Sequence, residues 1–182
     1  VSPAFLEPEP LGRHHQVAGF ECRSPELQDW LRRHARQSQA DNFTKVLVTT
    51  ARGYDDVASY YAWTVGSVSP ADAPSRLSAG GGQDAVPVAL LARLAVDTRH
   101  ERQGLGRSLL RDVLLRTLAL SQEAPIRALL VHCESAAAKG FYLRHVPAFE
   151  PSPTDPMHLL LLIKDLRRAC GRFRGGGAGV PS

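Results

Sequence analysis

Apolar positions along this chain switch between a spacing near 3.6 and a spacing near 2, and those switches lay out the elements. Ser24-Pro25-Glu26 has the form of a helix start: serine at the N-cap, proline first inside, and an acid in the first turn facing the positive end of the dipole. Leu27, Trp30, Leu31 and Ala35 continue at helical spacing, and the opposite side of that helix carries Arg32, Arg33 and Arg36. Residues 43–51 and 57–68, rich in β-branched and aromatic side chains and joined by a polar turn at 52–56, predict a hairpin. Residues 69–87 hold Ser, Ala, Pro, Asp and three consecutive glycines, which predicts a long loop. A buried strand over 88–96 then precedes a helix over 107–120, with Leu110, Val113, Leu114, Thr117 and Leu118 inward. A strand over 126–132, a short helix over 134–144 and a last strand over 157–164 complete the pattern. That order implies the α/β class, a mixed sheet with helices on both faces. Residues 1–10 read as an irregular Pro-rich lead-in, 11–168 as a single domain, and 169–182 as a flexible Gly-rich tail.

Composition narrows the partners without choosing one. With 182 residues, 43% hydrophobic and 22% charged, the chain suits one globular core. Lys+Arg outnumber Asp+Glu by 22 to 18, and lysine occurs only at Lys45, Lys139 and Lys164, so the cations are nearly all arginines able to grip phosphate bidentately. A nucleic-acid partner and a plain solvated surface both remain open on charge alone. Cys22, Cys133 and Cys170 are an odd, widely spaced set without a CxxC pair, supporting neither a disulfide framework nor a metal site. The N-terminal VSPAFLEPEP lacks a basic, apolar leader, and no run nears the roughly 18 apolar residues of a membrane span. A cytoplasmic protein that does not enter the membrane is expected.

The chemistry concentrates at 101–107, ERQGLGR, directly after the apolar run LLARLAV. A strand, a turn holding Gly104 and Gly106, and an immediate helix direct successive backbone N–H groups toward an anion. Glycine permits close approach of phosphate oxygens and a positive φ. No GxxxxGK[ST] string occurs, and the GxGxxG dinucleotide pattern fails at Leu109. A glycine turn that merely links strand to helix stays open at this point.

The stretch from Leu90 to Phe149 resembles the GNAT superfamily of N-acetyltransferases, in ARLAVDTRHERQGLGRSLL and in AAAKGFYLRH. The resemblance implies the GNAT fold, a central twisted mixed sheet flanked by helices, and acetyl-CoA as cosubstrate without a metal. It implies a cofactor-binding set of Leu94, Ala95, Val96, Arg102, Gln103, Gly104, Leu105, Gly106, Arg107, Ser108 and Phe141, with the backbone of Leu94 and Val96 on the pantetheine arm and 103–107 on the pyrophosphate. Tyr142 is the implied acid for the departing thiolate, and the Val96 N–H the donor to the thioester oxygen. Two departures stand out: Glu101 occupies a position where the superfamily usually has Gln or Arg, and FYLRHVPAF lacks the usual short glycine turn. No residue announces itself as general base, although His132, Glu134 and His145 lie in the right region.

The segments FECRSPELQDWLRRHARQSQ, LLARLAVD and FEPSPTDPMHLLLLIKDL, with the Tyr60-Tyr61-Ala62 strand, extend the likeness to the GNAT toxins of bacterial toxin–antitoxin pairs. That likeness implies acetylation of the α-amino group of aminoacyl-tRNA, a block on translation, a ribbon-helix-helix antitoxin and a homodimer. Arg32, Arg33 and Arg36 then become candidate tRNA contacts. An α-amino group, with a pKa of about 7.7–8.0, is far easier to deprotonate than a lysine side chain at about 10.4. Two other readings stay open: an acetyltransferase of a small amine or protein N-terminus, and a catalytically inactive GNAT-fold binding module.

Overall fold

The computed structural model describes residues 4–174, with side chains described as far as Gly171. Its main elements in chain order are β1 (Glu9–Pro10), α1 (Pro25–Arg33), α2 (Ala35–Ala40), β2 (Lys45–Thr50), β3 (Val57–Val68), α3 (Ser75–Ser78) and β4 (Val86–Val96). They continue with α4 (Leu105–Glu123), β5 (Ala128–His132), α5 (Ala136–His145), β6 (Glu150–Pro151), β7 (His158–Leu162) and α6 (Ile163–Arg174). The strands form one mixed seven-stranded sheet in the order β1-β2-β3-β4-β5-β7-β6. The described residues gather into two compact units, one of 4–64 with Leu91–Asp112, the other of Val65–Leu90 with 113–174.

In the first unit, β2 and β3 form the expected antiparallel hairpin, from Lys45↔Trp63 to Thr50↔Val57, with a bulge between Thr49 and Thr50. Alternation along β3 sends consecutive tyrosines to opposite faces. The Tyr60 hydroxyl donates to the Leu27 carbonyl of α1 at 2.7 Å, and its ring packs beside Phe20 and Trp30. The Tyr61 hydroxyl donates to the Asp112 carboxylate of α4 at 2.6 Å. Each tyrosine thus buries its ring and satisfies its polar tip on a different helix. Leu31 and Ala35 close the first of these faces over Val46, Val48 and Val57.

The lead-in is not irregular throughout. Glu9 and Pro10 pair antiparallel with Val48 and Leu47, and the N–H groups of Leu6 and Leu11 donate to Thr50 and Val46 at 2.9 Å. Prolines are tolerated there because an edge strand has one row of unpaired positions. Nor is the first helix continuous: His34 closes α1 with its N–H on the Trp30 carbonyl and leaves helical geometry at φ −121°, so Arg36 belongs to α2. No proline or glycine marks that break, and the hydrophobic spacing runs straight through it.

In the second unit, β5 pairs antiparallel with β7 over its whole length, from Ala128↔Leu162 to His132↔His158. The segment expected as a plain loop is packed: Ala73 and Leu77 are buried with Val86, Val88, Leu130 and Leu160, while a short turn at Pro70–Asp72 and α3 lie within it. Ser152 Oγ donates to the Asp72 carbonyl at 2.7 Å, and Ser69 and Thr154 hydroxyls donate to the Asp72 carboxylate. The last strand ends at Leu162 and passes straight into α6, whose Ile163, Leu166 and Cys170 are buried at helical spacing. A helix therefore stands where the flexible tail was expected to begin at 169; residues 175–182 of that tail lie outside the described residues.

One fully buried carboxylate ties the end of β4 to the rest of its unit. Asp97 accepts from the Glu21 N–H at 3.0 Å, the Arg99 N–H at 2.9 Å and the Arg99 guanidinium at 2.8 and 2.7 Å, and its own N–H donates to Ala58. Burial alone raises its pKa; the Arg99 side chain and the two backbone donors outweigh that and hold it below the ordinary carboxylate value. A group depressed in this way stabilises the fold above its unfolded pKa of about 3.9, and the contribution is lost as pH falls through the folded value. Asp97→Ala should cost about 3 kcal/mol in urea unfolding at pH 7, with the gap to wild type closing below about pH 4.

Candidate active site

The start of α4 is built differently from its neighbours. At α1 and α5 the N-cap serines, Ser24 and Ser135, accept from the N–H groups of Leu27 and Ala138 at 3.3 and 3.1 Å, so part of each helix end is satisfied internally. At α4 the first helical bond runs from the Ser108 N–H to the Gly104 carbonyl at 3.0 Å. The capping residue is thus a glycine with no side-chain acceptor. The N–H groups of Leu105, Gly106 and Arg107 precede the first helical bond and have no carbonyl of that helix to meet.

Gly104 sits at φ +83°, and a Cβ placed there meets no atom within 4 Å. Its requirement is therefore conformational, and the space above it is open. Arg102 also adopts the left-handed region, at φ 61°, which reverses the chain between the Thr98–His100 turn and α4. Gly106 does not share that reason, since its φ is not positive. Gln103, Arg107 and Ser108 are exposed around the same helix start, and Arg102 and Arg107 make no ion pair among the described residues. Open N–H donors, the positive end of a helix and two free guanidinium groups suit a pyrophosphate. Leu94, Ala95 and Val96 form the end of β4 leading into this turn, with Ala95 buried and the other two half-buried.

Glu101 does not confront an anion with a bare charge. Arg23, from the segment before α1, grips it bidentately, Nε to Oε1 at 2.8 Å and a terminal nitrogen to Oε2 at 2.6 Å. The Arg23 side chain is 76% exposed, so the pair adds little to stability. Its effect is electrostatic, cancelling a negative charge three residues before Gly104. Nothing in the local sequence reveals this, because the partners are 78 positions apart.

In the second unit, Tyr142 stands on α5, capped by Ser135, and is 6% exposed between Phe141 and Phe149, whose rings lie 5.2 and 6.1 Å away and edge-on. Phe141 itself is half-buried and also packs against His145. The Tyr142 hydroxyl has no hydrogen-bond partner among the described residues, and it is not one of the sealed, unsatisfied polar atoms. Burial pushes its pKa upward, and the neighbouring Cys133 and Glu134 push in the same direction. The phenol therefore keeps its proton across the working pH range. The Cys133 thiol is buried and pushed up to about 11, which keeps it protonated and a poor nucleophile.

The three arginines expected on one stripe have three different surroundings. Arg33 is exposed, and it makes no ion pair among the described residues. Arg32 is half-buried, with its Nε sealed and unpartnered. Arg36 donates to the carbonyls of Gly12 and His15 at 2.8 and 2.6 Å, pinning the segment before α1. Glu9, His14 and His15 offer ligand atoms within 4.8 Å of one another, yet the Gly12 N–H donates to His15 Nδ1. His15 Nε2 then carries the ring proton and donates to Glu9 at 3.0 Å, leaving no lone pair there for a metal ion.

A strand end and a glycine-capped helix start open to an anion thus lie in the first unit, and a buried, protonated tyrosine on a later helix lies in the second. The model of the acetyltransferase (GNAT) family matches residues 16–146, and the chain belongs to that family, the N-acetyltransferases that draw on acetyl-CoA. It is 40% identical over 167 residues to a tRNA-acetylating toxin of Mycobacterium tuberculosis, covering 92% of this chain and 98% of that protein. Among solved structures, a tyrosine-to-phenylalanine mutant of KacT matches with a TM-score of 0.82 at 20% identity, over 90% of this chain and 98% of the other. AtaT complexed with acetyl-methionyl-tRNAfMet matches at 0.81 and 19%, over 91% and 98%. A corresponding AtaT mutant bound to the C-terminus of the antitoxin AtaR and acetyl-CoA matches at 0.75 and 18%, over 91% and 97%. At these identities the structures establish the shared fold.

The Arg23–Glu101 pair yields a test by charge. Arg23→Ala should weaken acetyl-CoA binding severalfold in calorimetry, and adding Glu101→Gln should restore it, since the second change removes the charge the first exposed.

Proposed function

We propose that this chain is a toxin that acetylates the α-amino group of aminoacyl-tRNA and so stops translation. The observation that carries the reading is the 40% identity, nearly end to end, with a tRNA-acetylating toxin. The chemistry is compatible with it. Acetyl-CoA, when bound, supplies a thioester whose carbonyl carbon accepts an amine. The open N–H groups at the start of α4, with Arg102 and Arg107, would hold the pyrophosphate, and the β4 end from Leu94 to Val96 would hold the pantetheine arm through its backbone. The Val96 N–H would serve as the donor to the thioester oxygen, where negative charge develops. Tyr142, kept protonated by its burial, delivers a proton to the leaving sulfur. Arg33 contacts tRNA phosphate, with Arg32 beside it; Arg36 contributes chiefly by holding the segment at Gly12 and His15.

The same reading extends to partners. An AtaT structure includes an antitoxin C-terminus, and a ribbon-helix-helix antitoxin, a homodimeric state and a cytoplasmic location belong to this proposal. No helix among the described residues is long and apolar enough to cross a membrane. Against a catalytically inactive module, the reading is supported by the pairing of Glu101, the departure from the superfamily pattern, with Arg23.

Incubation with labelled acetyl-CoA and a pool of charged tRNA should place the label on the α-amino group of one or more aminoacyl-tRNAs; label confined to free amines or proteins would overturn the reading. Tyr142→Phe should lower turnover by about 10²-fold or more while leaving acetyl-CoA affinity unchanged. Arg33→Ala should reduce the slope of log affinity for tRNA against log salt by about one phosphate contact, roughly 0.7–0.9.

A further inference from the structure

The second unit contains a cleft of about 440 Å³ that none of the roles above uses. Its floor is apolar, from Val88, Leu90 and Leu130, and its rim carries Asp72, Asp155 and the pair His132 and His158. The two histidines are cross-strand partners at the ends of β5 and β7, and their rings stack with centroids 4.0 Å apart at 20°. Asp155 stands behind them, its carboxylate 3.4 Å from His158 Nε2 and tied down by the Met157 N–H at 2.8 Å.

Strand alternation relates this cleft to the tyrosine. Leu130 and His132 line the cleft, so Val131 and Cys133 face the other side of β5. Cys133 and Glu134 are the groups whose charge acts on Tyr142. The end of β5 therefore has the proton donor for a leaving sulfur on one side and an imidazole on the other. Amine acylation calls for that division, because nucleophile and leaving group flank one carbonyl carbon. Of the three candidates for a base, Glu134 acts on the donor itself and His145 packs against Phe141. His132 lines this cleft.

The geometry points to His132 as the base that takes a proton from the acceptor's α-ammonium group, in a cleft whose carboxylate rim draws that ammonium in. This rests on the aminoacyl-ester reading of the acceptor. The facing charged and titratable groups are His158 and Asp155 from β7 and the loop before it, and Asp72 from the turn after β3. Partial burial and the charge of His158 lower the His132 pKa, while Asp155 raises it. His132 is thus neutral at rest, with a carboxylate in place to stabilise the imidazolium once it forms.

The proton balance closes. One N–H bond of the ammonium breaks and its proton passes to a ring nitrogen of His132 and then to solvent. The freed lone pair forms the N–C bond as the C–S bond breaks, and the sulfur takes the Tyr142 proton. The amide nitrogen, still carrying one proton too many, returns it to Tyr142. Net release is one proton per acetyl group.

The test is the pH profile of His132→Gln acting on aminoacyl-tRNA at saturating acetyl-CoA. Near pH 6.5 kcat/KM should fall about tenfold or more, and the deficit should close by about pH 9, where an α-amine with a pKa of about 7.7–8.0 is already neutral. A deficit constant with pH, or none, overturns the inference. His158→Gln should move the acidic limb of the profile upward by removing a charge that depresses His132; an unmoved limb also counts against it. As a readout apart from turnover, adenosine carrying an amino acid through a 3′-amide should shift the His132 and His158 ring signals in NMR, and unshifted rings reject the cleft as its site. Wild type that labels no aminoacyl-tRNA at any pH defeats the substrate reading instead, so the two failures are distinct.

Discussion

The carboxylate of Asp97 is fully buried and charged, a combination that is tolerable only because donors converge on it. Those donors come from Glu21, ahead of α1, and from Arg99, in the turn after β4. A single side chain therefore fixes where β4 stops and how the chain enters the reversal at Arg102 and Gly104. The orientation of the α4 N–H groups follows from that reversal.

The cradle also depends on what is absent from it. Glycine at the cap leaves the first N–H groups of α4 open, where serine at α1 and α5 closes part of the same set. An open, positive helix start attracts anions of either origin, a ligand's phosphate or the protein's own carboxylate. Glu101 is the carboxylate nearest in sequence, and Arg23 removes it from competition. Arg102 and Arg107, exposed around the same helix start, are left as surplus cations there.

Proton traffic follows the same logic of burial in the second unit. Tyr142 is held protonated because its phenolate would be buried, and Cys133 is kept protonated for the same reason. At the strand end, partial desolvation and the charge of the stacked His158 lower the His132 pKa, while Asp155 works against them. In the proposed reaction Tyr142, on α5, would be the proton donor and His132, at the end of β5, the acceptor.

Much of this was legible in the chain itself. The hairpin, β4, α4, α5 and the α/β class follow from periodicity, because burying one face of a strand or helix imposes a spacing that sequence must carry. Gly104 is legible because a left-handed turn excludes most other residues. The α6 helix was missed, with the last strand expected to run to 164 and a flexible tail from 169, although Ile163, Leu166 and Cys170 are buried at helical spacing. What tertiary structure alone decided concerns partners distant in the chain. Arg23 against Glu101, Arg36 on the carbonyls of Gly12 and His15, Ala73 and Leu77 anchoring a glycine-rich loop, and His132 stacked on His158 all join residues with no local relation. Spacing records which face a residue shows, whereas the charge it meets there is set by whatever the fold brings alongside.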